Sequence, residues 1–236
     1  MNKNLKEPVC RYCNLEFKTI FRKLTLEQLE ILDTNKTCSF HKKGTVLYEE
    51  GHRIAGIYCI NNGLVKIYKT GNEGKEQIIG FGKAGNIVGY RSVVNGDLAC
   101  TSVKMLKDTF LCFIPANLLY RLIKDNVDFA VDLLQIACKE LEDSNKYIIN
   151  MSQKTVKERF SERLLNFKTE FGVDEAGMLN ITLTREELAN IVGTATESII
   201  RLLSDLKSDK IVELHGRKIK IIDEDALRNN IGLQSN

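Results

Sequence analysis

The sequence lacks the features that mark membrane proteins and most metal-dependent enzymes. It contains no run of about 18 apolar residues, the length that a membrane-spanning helix requires, and its first residues are too polar for a signal peptide. Only three scattered histidines are present, His41, His52 and His215, which limits metal and general-base chemistry. We therefore expect a cytoplasmic protein without a membrane partner, and one that is not an enzyme.

Charge and cysteine content set further limits. A formal net charge of +3 over 236 residues is too small to indicate a nucleic-acid partner by itself. The hydrophobic fraction of 43% is that of a globular chain with a core, which excludes a disordered protein. Seven cysteines in a cytoplasmic chain are more often free thiols or metal ligands than disulfides.

The distribution of glycine and cysteine divides the chain. Eleven of the sixteen glycines lie between Gly44 and Gly96, and all seven cysteines precede residue 139. Short β-rich segments with glycine-containing turns between them favour a jelly roll or a small barrel in this region. We predict three parts: an N-terminal sensor domain at 1–125, a long helix at 126–151 and a C-terminal domain at 152–236.

A heptad pattern marks the long helix. Apolar residues recur at alternating steps of four and three, a narrow stripe typical of a helix that pairs with another helix. A helix that packs only on its own barrel is the alternative. The predicted dimer seam consists of Ala130, Leu134, Ala137, Leu141, Ser144, Ile148 and Met151.

The most informative motif begins at Thr184. Thr184-Arg185-Glu186-Glu187 is a capping box that opens a helix. Gly193 ends this helix, and Thr194-Ala195-Thr196-Glu197 predicts a second capping box directly after it. Two short helices joined by a glycine-containing turn predict a helix-turn-helix. Two strands, 210–214 and 218–222, follow and predict a wing.

The second helix of this motif has a face that suits base recognition. Its predicted core face carries Ile199, Leu202, Leu203 and Leu206. On the other face, Arg201 can donate two hydrogen bonds to guanine, and Glu197 can accept one from cytosine. A solvent-exposed ion pair is the alternative for these two residues. Ile200 is a large apolar group on the same outward face, so it either contacts a thymine methyl or packs on the first helix or the wing.

Phosphate contacts are expected to come from the wing. From residue 152 onward the chain has 13 basic and 14 acidic residues, so DNA binding has to depend on local placement of charge. Arg217 and Lys218 lie near the predicted wing tip and can neutralise phosphates. The candidate DNA-contacting residues are Thr184, Arg185, Thr196, Glu197, Ile200, Arg201, Arg217 and Lys218.

On these motifs the chain resembles the CRP/FNR family of bacterial transcription regulators. The resemblance extends from about Leu24 to Leu227 and rests on residues 43–51, 58–63, 85–89, 183–193 and 197–203. It implies an α+β fold with an N-terminal β-roll of the cyclic-nucleotide-binding type, a long dimerisation helix and a C-terminal winged helix-turn-helix. It also implies a homodimer that binds double-stranded DNA, with RNA polymerase as a further partner. Glu197 and Arg201 match the base-reading pair of the family, although the FNR branch has a serine where Ile200 stands.

Departures from the family pattern bear on the effector. Cyclic-AMP-binding members have a Gly-Glu after the loop at Gly85 and an Arg-Ser pair further on. Here Gly89 precedes Tyr90, and Ala99-Cys100 occupies the Arg-Ser position. A cyclic phosphate would be buried without a charged partner, which is unfavourable, so we do not expect cyclic AMP as the ligand. The candidate effector pocket comprises Gly89, Tyr90, Arg91, Ala99 and Cys100, with Arg91 as a less favoured substitute for the arginine.

The cysteines leave several cofactors open. The resemblance is greater to the FNR branch, which senses oxygen through a cysteine-ligated iron–sulfur cluster, and it implies Cys10, Cys13 and Cys112 as metal ligands. Four thiolates normally hold such a cluster. The branch has one of its cysteines where Thr19 stands in this chain, so one expected ligand is missing. An iron–sulfur cluster, haem, a thiol switch, another metal and no metal therefore stay open, with Cys38 as a possible substitute ligand. We expect Cys59, Cys100 and Cys138 to be small buried apolar residues.

The sequence thus predicts a homodimeric, sequence-specific DNA-binding regulator whose β-roll senses a small effector or a redox signal. One alternative is a cupin-like jelly-roll metal enzyme, but its chemistry needs clustered histidines. Another alternative is an effector-binding module whose helix-turn-helix contacts only proteins.

Overall fold

The computed structural model describes residues 8–17 and 19–232, which form two compact units that divide between Leu141 and Glu142. The division falls inside one continuous helix. Within the described ranges, no helix combines the length and the apolarity that crossing a bilayer requires.

The first unit contains a β-roll preceded and followed by helices. A short 3₁₀ helix at Ile20–Lys23 separates its first two α-helices. Its helices are α1 (Cys10–Phe17), α2 (Leu26–Asn35), α3 (Tyr90–Asn95), α4 (Ala116–Asp125) and the beginning of α5 (Val127–Gln153). Its strands are β1 (Thr37–His41), β2 (Val46–Tyr48), β3 (Gly56–Asn62), β4 (Leu64–Thr70), β5 (Glu76–Lys83), β6 (Ile87–Val88), β7 (Ser102–Met105) and β8 (Thr109–Pro115).

The strands form two four-stranded antiparallel sheets, which confirms the predicted β-roll. One sheet has the order β1-β8-β3-β6 and the other β2-β7-β4-β5. Gly63 makes the tight connection between β3 and β4: its φ of +113° favours glycine, and a Cβ there would overlap the side chain of Thr109. One cluster of buried residues fills the roll, namely Ile60, Val65, Val88, Val103, Met105 and Leu111.

A second core packs helices against the roll. Thr25 opens α2 with the predicted capping box, because its hydroxyl accepts from the N–H of Gln28 and the Gln28 side chain accepts from the N–H of Thr25. The buried Leu29 and Leu32 of α2 join a cluster with Phe21, Phe129 and other apolar side chains. Buried residues of β3 and β8 belong to the same cluster, so α2 packs against one face of the β1-β8-β3-β6 sheet.

The second unit is a winged helix-turn-helix. It contains the end of α5, then α6 (Val156–Phe171), α7 (Arg185–Val192), α8 (Thr196–Ser208), β9 (Val212–His215), β10 (Lys218–Ile221) and α9 (Glu224–Asn230). β9 and β10 pair as an antiparallel hairpin.

The connection between α7 and α8 corrects one prediction. The first capping box is present at Thr184, but the second one, at Thr194–Glu197, is wrong. The N–H of Thr194 still bonds to the carbonyl of Ala189 in α7, at 3.1 Å. Thr194 therefore lies just after α7 and is bonded to its last turn. Ala195, which has no side-chain oxygen to cap a helix, is the N-cap of α8.

Candidate nucleic-acid interface and sensor sites

Helix α8 has two faces of opposite character. Ile199, Leu203 and Leu206 are buried against the rest of the unit, and α7 packs beside them. Glu197, Ile200, Arg201 and Ser204 are exposed, whereas Thr196 and Leu202 are half-buried. The spacing of the apolar residues, one helical turn apart, explains why a single face is buried. The opposite face is left open along the first half of the helix.

The exposed face of α8 carries side chains that the protein does not engage. Within residues 8–17 and 19–232, neither Glu197 nor Arg201 has a hydrogen-bond or ion-pair partner, so the ion-pair alternative is not realised in this structure. The Ile200 side chain is 51% exposed and is not part of the core. A donor, an acceptor and an apolar group are therefore available together for contact with another molecule.

The basic residues around α8 divide into two groups. Arg217 is exposed at the wing turn. Arg185, by contrast, donates through Nη2 to the carbonyl of Gly216 at 3.0 Å, and so ties the first turn of α7 to the wing. Burial lowers the pKa of this guanidinium below its usual range. The Nζ of Lys218 lies 3.0 Å from Oδ2 of Asp174 and lowers the pKa of that carboxyl group.

Thr184 also makes hydrogen bonds within the protein, at the start of its own helix. Its hydroxyl accepts from the N–H of Glu187 at 3.0 Å, and the Glu187 carboxylate accepts from the N–H of Thr184 at 2.9 Å. Of the candidate DNA-contacting residues, Thr184, Arg185 and Lys218 thus have structural contacts. Among the described residues, Glu197, Arg201 and Arg217 have no hydrogen-bond or ion-pair partner.

The candidate effector pocket lies at the start of α3. Gly89, Tyr90, Arg91 and Cys100 line it together with Tyr48 and Glu140. Nε of Arg91 lies 3.3 Å from Oε2 of Glu140, a residue of α5. Burial and the nearby Glu140 carboxylate raise the pKa of the Tyr90 hydroxyl. Arg91, which lines this pocket, therefore already faces a carboxylate.

Ala99 has a different environment from the other predicted pocket residues. It is 2% exposed, and its backbone exchanges hydrogen bonds of 2.8 Å with Gly51 and His52. It supports the pocket from behind through this backbone pairing rather than lining it.

A second pocket, which we call the thiol pocket, brings together four cysteines from three separate parts of the sequence. Cys10 and Cys13 of α1 line it with Cys59 of β3 and Cys112 of β8. Cys112 lies directly opposite Cys59 on one side and Cys38 on the other, so the three form a row across adjacent strands. The Sγ atoms of Cys38 and Cys112 are 2.6 Å apart.

The environment raises the pKa of three of these thiols, those of Cys10, Cys59 and Cys112. Burial raises the pKa of Cys10 to about 12 and that of Cys59 to about 12. The hydrogen bond with Cys38, together with burial, raises the pKa of Cys112. Lys36 opposes the effect at Cys10, because its Nζ lies 3.3 Å from the Cys10 sulfur and carries a positive charge. In the described part of the chain, no group of three or more His, Cys, Asp or Glu side chains is arranged to hold a metal ion.

The cysteine expectations need a correction. Cys100 and Cys138 are exposed, not buried, and Cys59 is half-buried and lines the pocket that contains Cys10, Cys13 and Cys112. Alternation along a strand or helix does not tell which face is covered by another element. The row of Cys38, Cys59 and Cys112 depends on the strand order, which the sequence alone did not provide.

The predicted dimer seam follows one side of α5. Leu134, Leu141 and Ile148 are 63%, 63% and 64% exposed. Ala137 packs against the core of the first unit, Ala130 and Met151 are half-buried, and Ser144 is exposed. Three large apolar side chains at intervals of seven residues therefore lie uncovered on one helix.

A β-roll, a long helix and a winged helix-turn-helix with an open recognition face define a DNA-binding transcription regulator. Two family models match this chain: the cyclic nucleotide-binding domain at residues 39–126 and the Crp-like helix-turn-helix domain at residues 158–229. The chain belongs to the CRP/FNR family of transcription regulators, and the predicted family, fold class and DNA-binding function are confirmed.

Relatives and solved structures agree with this assignment. The chain is 26% identical to the transcriptional activator protein Anr of Pseudomonas protegens, over 91% of this chain and 88% of the relative. It is 27% identical to the fumarate and nitrate reduction regulatory protein of Escherichia coli, over 88% and 82%. The fold is similar to that of FixK2 from Bradyrhizobium japonicum, with a TM-score of 0.74, 24% identity and coverage of 85% and 98%. These relatives are regulators, in agreement with the expectation that the chain is not an enzyme.

Proposed function

We propose that this protein is a homodimeric regulator that reads a palindromic DNA site through α8 and responds to a redox or small-molecule signal at its β-roll. One observation carries the proposal: Glu197, Ile200 and Arg201 point outward from a helix whose opposite face is buried. We also propose that the protein is located in the cytoplasm and that RNA polymerase is its partner at the regulated promoters.

The proposed base contacts follow from the chemistry of α8. Arg201 suits a guanine, Glu197 a cytosine amino group and Ile200 a thymine methyl. Arg217 suits a phosphate, and Lys218 does so if it leaves Asp174. Thr184 and Arg185 hold α7 and the wing in place, and Thr196 lies at the start of α8, where recognition helices contact bases.

The homodimer is proposed from the seam on α5. Leu134, Leu141 and Ile148 are each more than half exposed, and burying large apolar side chains stabilises association. Two copies related by a twofold axis place their recognition helices in successive major grooves about one helical turn, or roughly 34–36 Å, apart.

The test is selection of bound duplexes from a random-sequence pool with the full-length protein. The proposal predicts an inverted repeat whose half-site contains a G·C pair flanked by T·A pairs, with half-site centres about 10 base pairs apart. Enrichment of a single, non-repeated site would contradict the dimer, and no enrichment at all would leave the module that contacts only proteins as the better function.

The thiol pocket is the proposed input for redox signals. Its donor set fits an iron–sulfur cluster in number and kind, since Cys10, Cys13, Cys59 and Cys112 supply four thiols and such clusters are held by four thiolates. Cys59 takes the place of the ligand that is absent at Thr19. When bound, a cluster supplies an oxygen- and redox-sensitive group. To bind a cluster, the thiols have to lose their protons, because thiolates are the ligands. They also have to change rotamer, because no three His, Cys, Asp or Glu side chains of the described residues lie close enough together to hold a metal ion.

A further inference from the structure

We propose that Cys38 and Cys112 are an oxidation site, at which a disulfide forms across β1 and β8 and removes Cys112 from the thiol pocket. The bond itself depends only on the two strands. Its effect on the pocket rests on the proposed iron–sulfur function.

The strand register holds the two thiols in bonding position. Cys38 and Cys112 are direct partners in the antiparallel ladder of β1 and β8, with Thr37–Phe113 and Ser39–Leu111 pairs on either side. Directly opposite residues have Cα atoms roughly 4.5–5.5 Å apart, within the range of about 4.4–6.8 Å that disulfides span. The sulfur atoms already lie 2.6 Å apart, so the bond forms without movement of the backbone.

The edge of the sheet gives an oxidant access to one of the two sulfurs. β1 is the edge strand of its sheet, and Cys38 is half-buried there. Cys112 lies on the next strand and is 7% exposed. A peroxide therefore reaches Cys38 first, and Cys112 is placed to act as the resolving thiol.

The chemistry balances with a peroxide as the oxidant. The Cys38 thiolate attacks one oxygen of hydrogen peroxide, the O–O bond breaks, and the products are a sulfenic acid and hydroxide, which takes up the Cys38 proton to become water. The Cys112 sulfur then attacks the Cys38 sulfur, the S–O bond breaks, and the departing hydroxide takes the Cys112 proton as a second water. Two thiols are oxidised by two electrons in total, and the peroxide is reduced to two waters.

Disulfide formation and metal binding exclude each other at this pocket. Cys112 has one sulfur atom, and a sulfur in a disulfide is no longer a thiolate ligand. Oxidised protein would therefore offer only Cys10, Cys13 and Cys59, one thiol fewer than a cluster normally requires. The pair would thus report peroxide at the same site where the cluster would report oxygen.

The test is peptide mapping by mass spectrometry without reduction, after reduced full-length protein is treated with hydrogen peroxide. We expect a cross-linked peptide pair that contains Cys38 and Cys112 and has lost two hydrogen atoms. The Cys59→Ser variant should give the same cross-link, and Cys38→Ser should give none. A Cys59–Cys112 or Cys10–Cys112 link, or no link under conditions that oxidise exposed Cys100, would overturn the proposal.

A second measurement separates this proposal from the cluster. Iron and sulfide are added anaerobically to the reduced and the oxidised protein, and visible absorbance is recorded. We expect a broad cluster band in the reduced protein only, and recovery of the band after a thiol reductant. Equal bands in both forms would overturn the exclusion, whereas a Cys38–Cys112 link with no band in either form would refute the cluster and leave the oxidation site standing. Circular dichroism of Cys38→Ser checks that the variant is folded.

Discussion

At the residue scale, Arg91 and Glu140 set the charge of the candidate effector pocket. The guanidinium and the carboxylate lie 3.3 Å apart and are both partly exposed. A cyclic phosphate would have to enter beside Glu140, and the like charges would repel one another. By the family resemblance, Ala99 and Cys100 stand where cyclic-AMP-binding members have their phosphate-binding arginine.

We therefore predict no micromolar binding of cyclic AMP. Isothermal titration calorimetry of the full-length protein should show no saturable heat at micromolar nucleotide. The Glu140→Gln variant serves as the matched comparison, because it keeps the size of the side chain and removes the opposing charge. Saturable binding by the unaltered protein with a micromolar Kd would contradict this interpretation of the pocket.

Single residues also show where prediction from the sequence stopped. The capping box at Thr184 was predictable because both partners lie within one turn of helix. The box at Thr194 was not, because the preceding helix retains the Thr194 N–H. The approach of Cys38 to Cys112 joins residues 74 positions apart, and such proximity depends on strand pairing rather than on local spacing.

At the scale of the element, α8 combines a stabilising face with a functional face. Leu203 is 1% exposed, whereas Ile200, three residues earlier, is 51% exposed. Three residues turn the helix to a position only about 60° away, so the edge of the buried face runs between these two side chains. The sequence predicted this edge because Ile199, Leu203 and Leu206 recur at the helical period and Ile200 does not join them. The two positions therefore separate a folding role from the proposed recognition role within one helix.

We predict opposite effects for two truncations on α8. Leu203→Ala should lower the free energy of unfolding by about 2–5 kcal/mol, because it leaves a cavity in a packed core. Ile200→Ala should change it by less than about 1 kcal/mol, yet weaken binding at a thymine-containing position of the DNA site. Urea unfolding and fluorescence anisotropy measure the two quantities. A loss of stability at Ile200 equal to that at Leu203 would show that Ile200 belongs to the core.

At the scale of the whole molecule, α5 is the element on which the proposed homodimer depends. The heptad pattern predicted its existence and its exposed stripe, and the structure adds that Ala137 contacts the core of the first unit. A sensor signal that changes the balance between two arrangements of the paired helices would change DNA affinity as a population shift. Such coupling requires that the dimer forms first.

We predict that Leu141→Glu dissociates the dimer. A carboxylate at the middle of the seam would be buried without a partner, which is unfavourable. Gln135→Glu is the control, since Gln135 is exposed on the same helix off the seam and the change adds the same charge. Analytical ultracentrifugation should give a monomer for Leu141→Glu and a dimer for Gln135→Glu. If both variants are dimers, or if both variants and the unaltered protein are monomers, the predicted seam on α5 is not a dimer interface.

The most direct measurement of the central claim is the affinity of Arg201→Ala for a set of duplexes that differ from the selected site by one base pair. We predict that the variant loses about 1–3 kcal/mol of binding free energy on the selected site and no longer discriminates at one G·C position, while discrimination elsewhere is kept. Arg228→Ala removes the same charge from α9, where Arg228 pairs with Glu224 at 2.6 Å, and should bind as the unaltered protein does. Equal affinity and equal discrimination for Arg201→Ala and the unaltered protein would contradict base reading by the exposed face of α8.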